Sequence, residues 1–153
     1  MNTTLLMGWF LASNAYANDD LKSLMKTHVN TTNEENVSAV LATLDPNCPD
    51  YPQQAAMIPK LFEQYDLTYS LEAFEVFSAS EKQATIGFTL CTTKNAGPAY
   101  RNNRIQQVVT VNKTESGWKL CAGKVMMIQY LDMEPEHQLF QTAGPKQCQP
   151  SLQ

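Results

Sequence analysis

Three polar side chains, Tyr69, Gln107 and Lys124, interrupt segments whose residues otherwise alternate between apolar and polar. If the apolar-rich phase of each segment faces a core, a phenol, an amide and an ammonium share one space with it. A lysine held there is partly desolvated, which lowers its pKa and readies it to bind a carboxylate or to act as a base. Phe88 and Met126 fall on the same phase and serve as walls, so the expected pocket takes a small apolar or carboxylate ligand. A competing arrangement is a bulge at Ala122-Gly123, which reverses the phase and sends Lys124 to solvent, the commoner fate of an unpaired charge. At the rim, "GPAYRNN" offers Tyr100, Arg101 and Arg104, where arginine meets either a ligand carboxylate or a neighbouring surface acid. His28 sits on the apolar stripe of a helix and reads first as a satisfied core residue.

Four segments with a period of two must position these groups. "LTYSLEAFEVFS", "KQATIGFTLCTTK", "RNNRIQQVVTVNK" and "GWKLCAGKVMMIQYL" read as strands. The joints at Ser80-Glu81, at Asn95-Ala96-Gly97-Pro98 and at Glu115-Ser116-Gly117 are short, so neighbouring strands pair antiparallel as a meander. Ahead of them the period is helical. Asn18-Asp19-Asp20 offers a cap for a helix through Leu21, Leu24, Met25 and His28, and Thr32 with Glu35 has the form of a capping box before Val37 and Val40. Asp50 and Pro52 open a further helix with Met57, Ile58, Leu61, Phe62 and Tyr65 on its apolar face, bent at Pro59. Helices followed by a curled antiparallel sheet with one apolar face give an α+β architecture, the helices covering one side of the sheet.

At 43% apolar and 17% charged, a chain of 153 residues can bury one sizeable core. Fifteen acidic against eleven basic side chains leave a net charge of −4, which repels a phosphate backbone and excludes nucleic acid as the expected partner. The apolar run from Leu5 to Ala12 and the small-x-small pattern Ala15-Tyr16-Ala17 predict a signal peptide over residues 1–17, cleaved after Ala17. A domain over residues 18–131 and a C-terminal tail over 132–153 follow, with no membrane span in the mature chain and a periplasmic or secreted location. Export makes Cys48, Cys91, Cys121 and Cys148 candidates for two disulfides. Cys91 and Cys121 lie on strands separated by a third, too far apart to bond, so each pairs with Cys48 or Cys148 in one of two connectivities. With no CxxC spacing and only two histidines, no metal site is expected, and no cofactor either.

The segments "LFEQYDLTYSLEAFEV", "TKNAGPAYRNNRI" and "VNKTESGWKL" resemble a bacterial branch of the NTF2-like (SnoaL-like, cystatin-like) superfamily whose members mostly lack an assigned activity. The resemblance runs from about Asp20 to Leu131 and implies a cone in which a curled sheet wraps around helices. It implies too that Trp118, in the Gly-Trp-Lys-Leu opening of the last strand, packs into the core. Enzymes of this superfamily, ketosteroid isomerase and the SnoaL cyclases, work with acids and histidines projecting into the cone. The inward phase of strands two to four, which runs through Leu90, Ile105, Val109, Leu120 and Ile128, carries no Asp, Glu or His. The expected function is therefore an exported, non-catalytic small-ligand-binding or protein-interaction module, with a homodimer through the open sheet face compatible with Thr85, Thr89 and Thr93. The alternative is an isomerase, cyclase or dehydratase with Lys124 or His28 as base and Tyr69 as proton donor.

Overall fold

The structure, a computed structural model, describes residues 8–132 and 146–153. Three helices precede four strands: α1 (Gly8–Asn33), α2 (Val37–Ala42), α3 (Tyr51–Gln64), β1 (Asp66–Ala79), β2 (Gln83–Ala96), β3 (Asn103–Thr114) and β4 (Gly117–Tyr130). The strands pair antiparallel in the order β1-β2-β3-β4. Short turns leave no room for a crossover, so sequence neighbours become sheet neighbours. This is the expected α+β fold, with strand limits within two residues of the segments read from the alternation. Residues 1–7 of the expected signal peptide and 133–145 of the tail lie outside the described residues.

Helix α1 does not start at the expected cap. It runs unbroken from Gly8 through Asn18, because a cap residue stops no helix when the preceding residues, Ala12, Ala15 and Ala17 among them, favour one themselves. Downstream, α2 is capped by Asn36 instead of Thr32: the Asn36 side chain accepts from Ala39 N at 3.1 Å. Thr32 is still inside α1, where its hydroxyl bonds back to His28 O.

One apolar stripe of α1, Leu21, Met25 and Val29, is at most 3% exposed and lies against the concave face of the sheet. Each such side chain contributes roughly 1.5 to 3 kcal/mol by leaving water. The sheet meets it with cross-strand rows, Leu71-Leu90-Ile105-Ile128 and Val76-Ile86-Val109-Gly123 among them. Trp118 is 9% exposed within this core. Register shifts in β1, between Leu71 and Ala73 and between Val76 and Ser78, and two more where β4 pairs with β3 bend the strands and curl the sheet.

Each edge of the sheet is covered in part by irregular chain. On β1, Leu71 N donates to Ser151 Oγ at 3.0 Å, and Leu71 O accepts from Leu152 N at 2.8 Å. On β4, Leu120 N donates to Thr43 O and Leu120 O accepts from Asp45 N, a one-residue parallel bridge centred on Leu44. Disulfides hold both covers, Cys91–Cys148 beside the first and Cys48–Cys121 beside the second. Of the two connectivities left open by strand order, the structure adopts this one.

Candidate functional site

Between α1, α3 and the concave sheet face lies a cavity of about 460 Å³. Its roof is the apolar face of α3, Met57, Ile58, Leu61 and Phe62, and no residue of that helix is fully buried. An amphipathic helix with its greasy face unburied stands away from the sheet, and the space beneath it is the cavity. The C-terminal end of α3 is fixed by close approach. Gly97, at φ +114° in the β2–β3 turn, comes so near that a Cβ there would lie 2.5 Å from Gln64 O, so only glycine fits.

The sheet wall is set by register. Phe88, Gln107 and Val125 are direct cross-strand partners, so their side chains share the concave face. Gln107 and Val125 line the cavity with Tyr69 and Leu90, and Phe88 is buried in the core beside it. Lys124 and Met126 do not join them. β4 carries an extra residue opposite the step from Val109 to Val111 and another opposite the step from Gln106 to Gln107. The first bulge reverses the phase, so Gly123 and Val125 face inward and Lys124, opposite Val108, faces outward and is exposed. The second places Met126 on the convex side, 58% exposed. The expected pocket thus keeps Tyr69 and Gln107 and loses its ammonium and one wall.

Arg104 is also on the convex face, not at the rim. Its guanidinium makes a bidentate ion pair with Glu72 and donates to Gln129 Oε1 and Gln147 O, both at 3.1 Å. Arg101 pairs with Asp132 at 2.8 Å, largely in water. Tyr100 remains near the site, edge-on to Tyr65 with ring centroids 6.0 Å apart, its hydroxyl accepting from Asn103 Nδ2. Among the described residues, Asp45-Cys48-Cys121 and Glu72-Cys91-Cys148 have metal-like proximity, but in both the sulfurs are spent in disulfides.

The polar group that alternation could not rank is His28. Its Nδ1 lies 2.7 Å from Thr43 Oγ1, and that hydroxyl is 2.6 Å from Val40 O. With its single hydrogen donated to the carbonyl, the hydroxyl accepts from Nδ1–H, which leaves Nε2 as the lone pair. The ring lines the cavity along one edge and is otherwise enclosed, and burial pushes its pKa down to about 4. Tyr69 moves the opposite way. Burial first, and the neighbouring Tyr100 second, push its phenol up to about 12. At neutral pH the cavity therefore presents an uncharged imidazole, an un-ionised phenol and an amide. The sequence showed His28 and the α3 face but marked both as core. The mouth residues Asp50 and Gln54 carry no pattern that singles them out.

His28 also makes the fold acid-sensitive. Its folded pKa is about 4 against 6.5 for the free side chain, so between those values the unfolded chain binds a proton that the folded chain refuses. Stability is present in full above pH 6.5 and falls as pH drops toward 4. At about 1.4 kcal/mol per pKa unit the loss is of order 3 kcal/mol. Urea midpoints measured across this window should fall more steeply for the native protein than for His28→Gln, and parallel curves would sink the assignment.

Several solved structures share this fold. A candidate scytalone dehydratase from Novosphingobium aromaticivorans superposes with a TM-score of 0.67 at 11% identity, covering 81% of this chain and 93% of that one. A candidate dehydratase of the NTF2-like family from Streptomyces avermitilis gives 0.61 at 11%, covering 72% and 94%. At such identities the likeness is one of fold, which is NTF2-like. The anti-sigma-I factor RsgI9 of Acetivibrio thermocellus is 38% identical over 60 residues, which are 39% of this chain and 8% of that protein. The family model described as the C-terminal domain of the anti-sigma-I factor RsgI9 matches residues 23–131. With most of its length inside that match, this chain belongs to the RsgI9 C-terminal domain family.

Proposed function

We propose that this protein is an exported, non-catalytic ligand-binding module whose cavity under α3 takes a small, mostly apolar molecule. The observation that carries the proposal is the roof: α3 turns four apolar side chains toward a space of about 460 Å³ that only a few polar groups enter. The sheet wall of that space has no Asp or Glu among the described residues, and a histidine with a pKa near 4 is a weak base at neutral pH. Both points favour binding over proton abstraction. The related protein is named an anti-sigma-I factor, which supports signalling through binding. Export is supported by the small-x-small pattern ending at Ala17 and by two disulfides. Cleavage there would leave the buried stripe Leu21, Met25 and Val29 intact.

The test uses Nile red, a neutral dye whose emission rises in apolar surroundings. Its titration should saturate with the native protein and lose at least tenfold in affinity in Val125→Trp, which puts an indole into the cavity from an already exposed position. Lys124→Met should leave the titration unchanged, since that side chain is on the other face. Equal binding by all three proteins would place the dye elsewhere and remove the proposal. A homodimer through the convex face is supported by Phe77 and Met126, 55% and 58% exposed there. Native mass spectrometry finding only monomer at micromolar concentration would remove that part.

A further inference from the structure

We infer that the cavity selects an uncharged apolar molecule bearing a hydroxyl group, whose hydrogen goes to His28 Nε2 and whose oxygen accepts from Tyr69 or the Gln107 amide. The inference rests on the binding role proposed above and specifies what is bound.

Three features of the lining lead there. First, His28 Nε2 has no partner among the described residues. The only side-chain nitrogen or oxygen that is buried and unpartnered there is Asn103 Oδ1, so Nε2 keeps accessible surface, and the ring lines the cavity. Because Nδ1 is committed to Thr43, the nitrogen left open can only accept. Second, the Tyr69 hydroxyl and the Gln107 amide are likewise bonded to no described group, and both line the same space. Gln107 Oε1 is 3.9 Å from where a Cβ on Gly123 would sit, which places it above the floor that Gly123 leaves bare. A hydroxyl can donate to the imidazole and accept from a phenol or an amide N–H at the same time. Ketones, ethers and hydrocarbons cannot, and leave the nitrogen dry and unpaired.

The third feature concerns charge. Among the described residues no lysine or arginine lines the cavity, and the ionisable acid that does, Asp50, is exposed beside the N-terminus of α3. A carboxylate entering would shed its water without a counterion and pass a like charge on the way. Removing Lys124 from the site thus reverses the ligand chemistry: the anion that the sequence allowed becomes the class the cavity rejects. The neutral imidazole fits this, since its low pKa keeps it an acceptor throughout the neutral range.

The experiment compares 4-propylphenol, 4-propylanisole and 4-propylbenzoate by calorimetric titration of the full chain at pH 7. All share one apolar body and differ in the polar group. The phenol should bind about tenfold tighter than the anisole, the ratio expected when an acceptor desolvated by the ether goes unpaired, and the benzoate should bind weakest. Phenol and anisole binding equally would overturn the hydroxyl rule, and benzoate binding best would overturn the rejection of anions. In both cases the cavity remains a binding site. Failure of all three to bind, together with a flat Nile red titration, would instead overturn the binding role itself. In His28→Phe the phenol should fall to the anisole's affinity, with the anisole little changed. A preference that survives this substitution would show that His28 is not the acceptor. Should that variant fail to fold, the three-ligand comparison in the native protein still decides.

Discussion

Arg104→Met is expected to lower the stability of the fold by about 3 to 5 kcal/mol, read as a shift of the urea midpoint with an unchanged slope. The Arg104 and Glu72 side chains are only 10% and 8% exposed, and the guanidinium spreads its hydrogen bonds over Glu72, Gln129 and the Gln147 carbonyl. Without it, the Glu72 carboxylate stays under the tail with the Gln149 N–H as its remaining donor among the described residues. An uncompensated buried charge, not the loss of the pair's own attraction, supplies most of the cost. The double variant Arg104→Met, Glu72→Leu should therefore recover to within about 1 to 2 kcal/mol of the native protein. A single variant costing under 1 kcal/mol, or a double variant no better than the single, would show that the pair is solvated in solution.

Replacing Cys48 and Cys121 together by alanine is the second large effect. The bond spans 73 residues, and in the chain-entropy model a loop of that size stabilises the fold by about 4 kcal/mol. For a domain of this size the melting temperature should fall by roughly 10 to 20 °C. The site should suffer as well. Cys48 sits two residues ahead of the Asp50 cap of α3, and Cys121 lies in the first bulge of β4, so the bond fixes the roof helix to the wall beneath it. Nile red affinity should drop below that of the native protein at 15 °C, where both are folded. A melting temperature within a few degrees of the native value would mean that the packing of Leu44 and the Leu120 bridge already hold the connection.

How far the residues foretold this depends on which rule each position obeys. Strands and turns were legible because they follow from local alternation and from glycine and asparagine at the joints. Gln107 and Tyr69 were legible as inward polar groups for the same reason. Lys124 and Met126 were misplaced because alternation holds only while every residue has a partner. Two unpartnered residues in β4 change the phase twice, so Ile128 returns to the concave face and conceals the slip between. The bulge at Ala122-Gly123 was visible as a possibility through its glycine, whereas the one at Met126 has no glycine to mark it. Arg104 was assigned to the rim because its partner Glu72 lies 32 residues away, in a β1 bulge of its own. The His28–Thr43 contact joins two helices and could not be read from either. Cysteine pairing was narrowed by strand order, and the choice between the remaining pairings needed the covers at both sheet edges.

Those covers bear on how copies of this chain can meet. A four-stranded sheet ordinarily ends in two rows of unsatisfied amides and carbonyls, each able to recruit a strand from a neighbour and extend the ladder without limit. Here Leu71 and Leu120 already spend these groups on Ser151, Leu152, Thr43 and Asp45, and covalent sulfur bridges fasten the blocking segments in place. A neighbouring strand would have to displace these fastened segments before it could pair at Leu71 or at Leu120.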